Sequence, residues 1–249
     1  MIERENRDGI ELLRLAHGKV NAIDVELLER VAAEMARLRE DRPRALVVTG
    51  SGRNFSAGLD LPRFLAEGPE YARRITEALH DALLGLHALP VPTVAAVNGH
   101  AIAGGFVLAC ACDARIVENG SGRFGITELP VGVPFPVAPL EMVRQALGTQ
   151  RTRELAYGGH LIDAPASHEI GFATELTSPG ECVDRALALA GRWGANPADA
   201  FAWTKRQLQA PTLDRIDKAS AAFGAELDRV WSEPSTRSAI QAFVDKTLG

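Results

Sequence analysis

The chain has 249 residues, of which 46% are hydrophobic, and carries a formal net charge of −5 from 27 basic and 32 acidic side chains. That length and apolar content support one substantial core, or a core with a small appended unit. Because the two signs of charge are interspersed, the one-signed basic footprint of a nucleic-acid binder is excluded, and no cationic face suits a membrane surface. The opening Met1-Ile2-Glu3-Arg4-Glu5-Asn6-Arg7 is charged and lacks the apolar segment of a secretory signal, and no later apolar run is unbroken over a bilayer's thickness. The last residues, Thr247-Leu248-Gly249, are not a peroxisomal address, so the expected compartment is the cytoplasm.

Apolar residues recur at intervals of three and four across residues 25–39, which predicts a helix, and Ala45-Leu46-Val47-Val48-Thr49 then reads as a buried strand. Residues 91–97 form a second buried strand, closed by the turn signal Asn98-Gly99, and Gly104-Gly105 opens an apolar helix. Ala114-Arg115-Ile116-Val117 reads as another strand. Prolines at 130, 134 and 136 predict a rigid, non-helical loop at the seam between two patterns. Beyond about residue 140 the strand signals fade, and residues 140–147, 152–157, 182–193 and 214–231 read as helices. The alternation predicts an α/β core over residues 1–195 and a helical C-terminal unit over residues 196–249. Neither a repeat of solenoid period nor a low-complexity linker interrupts it.

Cys110, Cys112 and Cys182 are odd in number and lack His or Cys partners at ligand spacing, so they read as reduced core thiols and no metal is expected. Two other segments share a design suited to chemistry. Asn54-Phe55-Ser56-Ala57-Gly58-Leu59-Asp60-Leu61 and the stretch from Gly99 to Leu108 each run from a strand through a small-residue turn into a helix start. A helix start has unpaired N–H donors and partial positive charge, so each turn aims backbone donors at one point and stabilises an anion without a charged side chain. Glycine at 58 and 104 lets a ligand approach closely. Asp60, just inside a helix start, suits a cap, and Asp113 and His100 suit scaffold roles. Glu128 is the foremost carboxylate, with Glu141 in reserve on the helix after the proline loop.

These segments occur in the order and register of the crotonase family, the enoyl-CoA hydratase/isomerase superfamily, which the chain resembles over essentially its whole length. Val20-Asn21-Ala22-Ile23 is similar to the family's Asn-Ala-Leu segment, and Ser56-Ala57-Gly58-Leu59-Asp60-Leu61 resembles its Ala-Gly-x-Asp loop. Ala95-Ala96-Val97-Asn98-Gly99-His100-Ala101-Ile102-Ala103-Gly104-Gly105 resembles its second oxyanion segment, with Cys112-Asp113 and Phe124-Gly125 following. The resemblance implies an α/β fold with a ββα-superhelix core and a C-terminal helical trimerisation unit. It also implies that the N–H groups of Leu59 and Gly104 hold the oxygen of an acyl-CoA thioester, each contributing roughly 3 kcal/mol to stabilising its enolate.

One departure sharpens the expected reaction. Three residues beyond Gly104, where family hydratases carry a glutamate, the sequence has Val107, whereas Glu128 matches the second hydratase glutamate. Hydration calls for two proton-handling groups, but a double-bond shift needs only one, and Thr127-Glu128-Leu129-Pro130-Val131-Gly132 resembles the segment of the Δ3,Δ2-enoyl-CoA isomerases. The expected activity is therefore Δ3,Δ2-enoyl-CoA isomerisation in acyl-CoA breakdown. The alternatives are a weak hydratase, a hydrolase or decarboxylase, and a non-catalytic acyl-CoA-binding protein. Coenzyme A, part of the substrate rather than a cofactor, is expected along Lys19, Val20 and Ala22 and along Ser56, Ala57, Gly58, Asp60 and Leu61. A nearby cation should meet its phosphates, with Arg63 available on the first helical turn after the loop, and Phe243-x-x-Lys246 resembles the family's Phe-x-x-Lys pair. The resemblance further implies a homotrimer or a dimer of trimers, in which Phe243 and Lys246 serve either their own or a neighbouring subunit's ligand.

Overall fold

The computed structural model describes residues 1–248 and begins with a hairpin. Strands β1 (Ile2–Arg7) and β2 (Ile10–Leu15) are antiparallel, and Asp8 and Gly9 between them both take positive φ, as a tight two-residue turn requires. Helix α1 (Val25–Asp41) leads to β3 (Ala45–Thr49) and the short β4 (Asn54–Ser56). Helices α2 (Leu61–Ala66) and α3 (Pro69–His87) follow, then β5 (Thr93–Val97), β6 (His100–Ile102) and α4 (Gly104–Cys110). Next come β7 (Ala114–Glu118), β8 (Phe124–Gly125), the single turn α5 (Glu128–Val131) and α6 (Val137–Gly158). The chain ends with α7 (Ala164–Glu169), β9 (Glu175–Thr177), α8 (Cys182–Trp193), α9 (Ala198–Ser232) and α10 (Pro234–Leu248).

Three strand pairs, β3/β4, β5/β6 and β7/β8, each send one strand to a six-stranded sheet ordered β1-β2-β3-β5-β7-β9 and the other to a parallel sheet ordered β4-β6-β8. Helices follow each pair, which is the ββα superhelix of a crotonase-like fold. In the large sheet, Ala45 and Val47, Val94 and Ala96, and Ala114 and Ile116 face α8, whose Ala186, Leu189 and Ala190 cover them. Their alternating neighbours Leu46, Val48, Ala95, Val97 and Val117 face the main core. Burial on both faces explains why these strands read as unbroken apolar runs rather than as alternating ones.

Three local expectations are revised. Strand β9 lies beyond residue 140, and it escapes a sequence reading because it is three half-buried residues at the sheet edge, paired to β7. Pro130 falls within α5, where a proline is tolerated because the first turn of a helix has no intrahelical N–H bond to lose. Helix α9 runs through Pro211 instead of starting near residue 214. Its N-terminal half is fixed by two buried polar anchors one turn apart: Lys205 Nζ donates to Asp113 at 2.7 Å and Gln209 Nε2 to the His87 carbonyl at 2.5 Å. The two helices expected at 140–147 and 152–157 are the two arms of α6, which breaks at Gly148 with φ 75°. No helix of the described residues is long and apolar enough to cross a membrane.

Helix α10 doubles back over the chain's own core. Arg237 donates to the Leu65 and Glu67 carbonyls at the end of α2 at 2.6 and 3.2 Å, and Ala239 abuts Gly132 at the end of α5. Trp231 near the end of α9 donates its Nε1–H to the Pro134 carbonyl at 3.2 Å and meets Phe64 edge-on at 5.6 Å. The helical tail thus closes a pocket whose other walls belong to the superhelix.

Candidate active site

The first turn of the site is held by backbone. Ser56 Oγ donates to the Asn21 carbonyl at 2.7 Å and accepts the Gly58 N–H at 3.2 Å, while the Ala57 N–H donates to the Val20 carbonyl at 3.1 Å. Gly58 takes φ 85°, and a Cβ there would lie 2.7 Å from the Ile102 carbonyl oxygen, so conformation and space both require glycine. Ile23 then donates to the Gly58 carbonyl at 2.8 Å and accepts the Asp60 N–H at 2.9 Å. That pairing pattern turns the Leu59 N–H to the opposite side, where it has no backbone partner among the described residues.

The second turn follows β6. Ala103 takes φ 49°, ψ −121°, a conformation that costs a residue with a Cβ about 1–3 kcal/mol, and it is tied by its N–H to the Gly125 carbonyl at 2.8 Å. The strain aims the next residue, Gly104, whose N–H opens α4 with no backbone partner among the described residues. Gly105 packs so closely on the first turn that a Cβ would lie 2.3 Å from the Ser56 carbonyl oxygen. A Cβ on Gly58 would likewise come within 3.3 Å of the Gly104 nitrogen. The two turns expected from sequence are in contact.

Both turns line one pocket of about 820 Å³, counted with its open mouth, together with Glu128 and Val107. The rest of its wall is mostly apolar, with Leu61, Ile75, Val131, Trp231 and Phe243 prominent. Glu128 begins α5, and its Oε2 is shielded from solvent with no hydrogen-bond partner among the described residues. Removal from water pushes its carboxyl up to about 7, against the smaller pull of its own and Thr127's backbone N–H groups. Among the described residues no second carboxylate lines the pocket, and Val107, the position the resemblance aligns with a hydratase glutamate, is fully buried in its wall.

The remaining expected residues divide. Ala57, Leu61 and Phe243 line the pocket, and Phe243 does so in its own chain. Lys19, Val20 and Ala22 run beside the Ser56 turn, with Lys19 exposed, and Lys246 is exposed on α10 one turn beyond Phe243. Asp60 caps α2, its side chain accepting the Arg63 N–H at 3.0 Å. Arg63 departs from the expected free cation. Its guanidinium is bonded to Glu26 at 2.6 and 2.7 Å and to Asp24 at 2.9 Å, because the acidic first turn of α1 lies against α2.

Glu141 is buried but bonded to Arg144 and Arg215 at 2.8 and 2.7 Å, outside the pocket. His100 accepts the Arg123 N–H at 3.2 Å and Asp113 is held by Thr93 and Lys205, which fits scaffold roles for both. The three cysteines are buried and unpaired, with burial raising Cys110 and Cys112 to about 12 and Cys182 to about 11. Among the described residues no group of three or more His, Cys, Asp or Glu side chains is placed to hold a metal. Trp231 was missed as a wall residue because only the fold-back of the tail brings it to the pocket.

A superhelix presenting paired backbone donors beside one desolvated carboxylate defines an acyl-CoA-processing enzyme of the crotonase superfamily. The profile of the enoyl-CoA hydratase/isomerase family matches residues 5–248, and the chain belongs to that family. It is similar to a probable enoyl-CoA hydratase of Mycobacterium avium, 30% identical over 86% of this chain and 83% of the relative. The fold matches the crystal structure of human mitochondrial Δ3,Δ2-enoyl-CoA isomerase with a TM-score of 0.91 at 23% identity, over 98% of this chain and 97% of that one. It also matches the apo structure of an enoyl-CoA isomerase of Mycobacterium tuberculosis with a TM-score of 0.83 at 27% identity, over 90% and 98% of the two chains.

Proposed function

We propose that the chain is a Δ3,Δ2-enoyl-CoA isomerase in which Glu128 is the single acid/base. The observation that carries this reading is the pairing of Glu128, its carboxyl raised to about 7, with the apolar Val107 across a pocket that holds no second carboxylate among the described residues. The ionised Glu128 takes a proton from C2 of a 3-enoyl thioester. The electron pair of that C–H bond delocalises through the C3–C4 double bond and the carbonyl, giving a dienolate whose oxygen lies between the Leu59 and Gly104 N–H groups. The same carboxyl then returns the proton to C4, which leaves the double bond between C2 and C3. Apolar walls keep the carboxyl near neutrality in proton affinity and keep water from the dienolate.

The acyl group this pocket favours is an unfunctionalised hydrocarbon. Of its polar wall side chains, Thr76 turns its hydroxyl back to the Ala72 and Arg73 carbonyls and Trp231 donates to Pro134. Among the described residues, Thr127 and Glu128 are the polar wall side chains left for the substrate. CoA would run along Lys19, Val20 and Ala22 with Lys246 available to its phosphates. Assembly as a homotrimer or dimer of trimers is proposed on the same family resemblance, with exposed Trp203, Leu208 and Phe223 on α9 as available apolar surface, and light scattering at a single mass of one chain would refute it.

Purified protein is expected to convert 3-hexenoyl-CoA to 2-hexenoyl-CoA and to hydrate crotonyl-CoA poorly. Crotonyl-CoA hydration outpacing the isomerisation would refute the assignment in favour of the hydratase reading that several relatives' names carry.

A further inference from the structure

Ile23 grips both donor turns, and it does so with different parts of itself. Its backbone brackets Leu59, donating to the carbonyl on one side at 2.8 Å and accepting the N–H on the other at 2.9 Å. Its side chain reaches the second turn, where a Cβ built on Gly104 would meet Ile23 Cδ1 at 2.9 Å and nothing else closer than 3.9 Å. Ile23 is 3% exposed and also lines the acyl pocket. The residue after it is equally fixed. Asp24 caps α1 through the Leu27 N–H at 2.8 Å, and its other oxygen accepts from Arg63 at 2.9 Å and pairs with His17 at 2.7 Å. These contacts hold the Ile23 backbone from the C-terminal side and give the Arg63 guanidinium a role in the scaffold of the turn.

Resting on the isomerase reading for its chemistry, we propose that Ile23 is a positioning residue that sets the separation of the Leu59 and Gly104 N–H donors. An oxyanion site stabilises charge only when both donors are placed for the oxygen that develops, so a change in spacing weakens the enolate more than the ground-state thioester. Backbone pairing fixes one donor to the Ile23 main chain, and Cδ1 packing fixes the other to its side chain. Losing that single methyl removes the side-chain half of this bridge without touching either N–H group.

The test uses three variants, Ile23→Val, Gly104→Ala and the double variant, with three readouts. Ile23→Val removes the contacting methyl; Gly104→Ala introduces a Cβ against it; together they remove the clash. The expected result for Ile23→Val is a fall of about tenfold in kcat on 3-hexenoyl-CoA. A matching fall is expected in the fraction of bound acetoacetyl-CoA seen spectrophotometrically as its enolate. Affinity for the saturated hexanoyl-CoA should stay within about threefold, since no charge develops on it. The double variant should exceed Gly104→Ala in both kcat and enolate fraction. Wild-type enolate formation unchanged in Ile23→Val, or a double variant no better than Gly104→Ala, overturns this inference alone. A wild-type protein that binds acetoacetyl-CoA without forming its enolate overturns the oxyanion reading as well.

Discussion

The donor half and the proton half of the site are made of different material. In the proposed site Leu59 and Gly104 contribute main-chain N–H groups, held by the Ile23 bridge, the Ser56 hydroxyl and a strained Ala103, so the role proposed for them lies in the path of the backbone. Glu128 contributes one carboxyl on a one-turn helix, and the role proposed for it lies in the apolar surroundings that lift its proton affinity. The donor half should therefore tolerate side-chain change and fail with geometry, while the proton half should fail with a single atom exchange. On the isomerase reading proposed above, the backbone half would offer an enolate site to an acyl thioester, and the side chains opposite would decide what happens to the enolate.

The sharpest way to break this comparison is to alter one side chain in each half. Glu128→Gln is expected to lower kcat on 3-hexenoyl-CoA by about 10³-fold, the scale of a lost general base, while Leu59→Ala, which keeps its N–H, should lower it by no more than about tenfold. Equal losses in steady-state assays would show that the halves do not differ as described. A second prediction concerns stability. Glu128 takes up its proton at about 7 in the folded chain against 4.5 as its ordinary value, so between those pH values the folded state holds the proton that the unfolded state has released. Folding stability therefore falls as pH rises from about 4.5 to about 7, by up to about 3 kcal/mol from this group. Denaturant titrations should show Glu128→Gln lacking that part of the decline and surpassing the wild type at pH 8; parallel curves would deny the desolvation. The smallest effect is expected at Asp60→Ala, which removes the α2 cap and should cost about 1 kcal/mol, read from the same titrations. No loss would show that the turn needs no side-chain cap.

The same division governed what could be read in the sequence. Gly58 and Gly104 were legible because backbone donors need glycine close to a ligand, and the structure puts the two glycine turns in contact. Val107 was legible as an absence, since valine transfers no proton, and it does line the pocket. Strands β3, β5 and β7 were legible because burial on both faces leaves long apolar runs. Features set by distant packing were not. Trp231 lies near the end of the largely exposed α9 and becomes a wall residue only because that end packs on Phe64 and donates to the Pro134 carbonyl, both distant in sequence. Arg63 read as a free cation because its sequence neighbours do not include Glu26 and Asp24, which α1 brings to it across 37 and 39 residues. Strand β9 had too few buried residues to announce itself.

The claim that one carboxylate does all the proton work is tested most directly by the pH dependence of kcat/KM for 3-hexenoyl-CoA. Proton abstraction needs the ionised carboxylate, so the account predicts a single limb that rises with pH and levels off above a midpoint near the Glu128 value of about 7. A bell with two ionisations, or a single midpoint near 4.5, the ordinary carboxyl value, would contradict it.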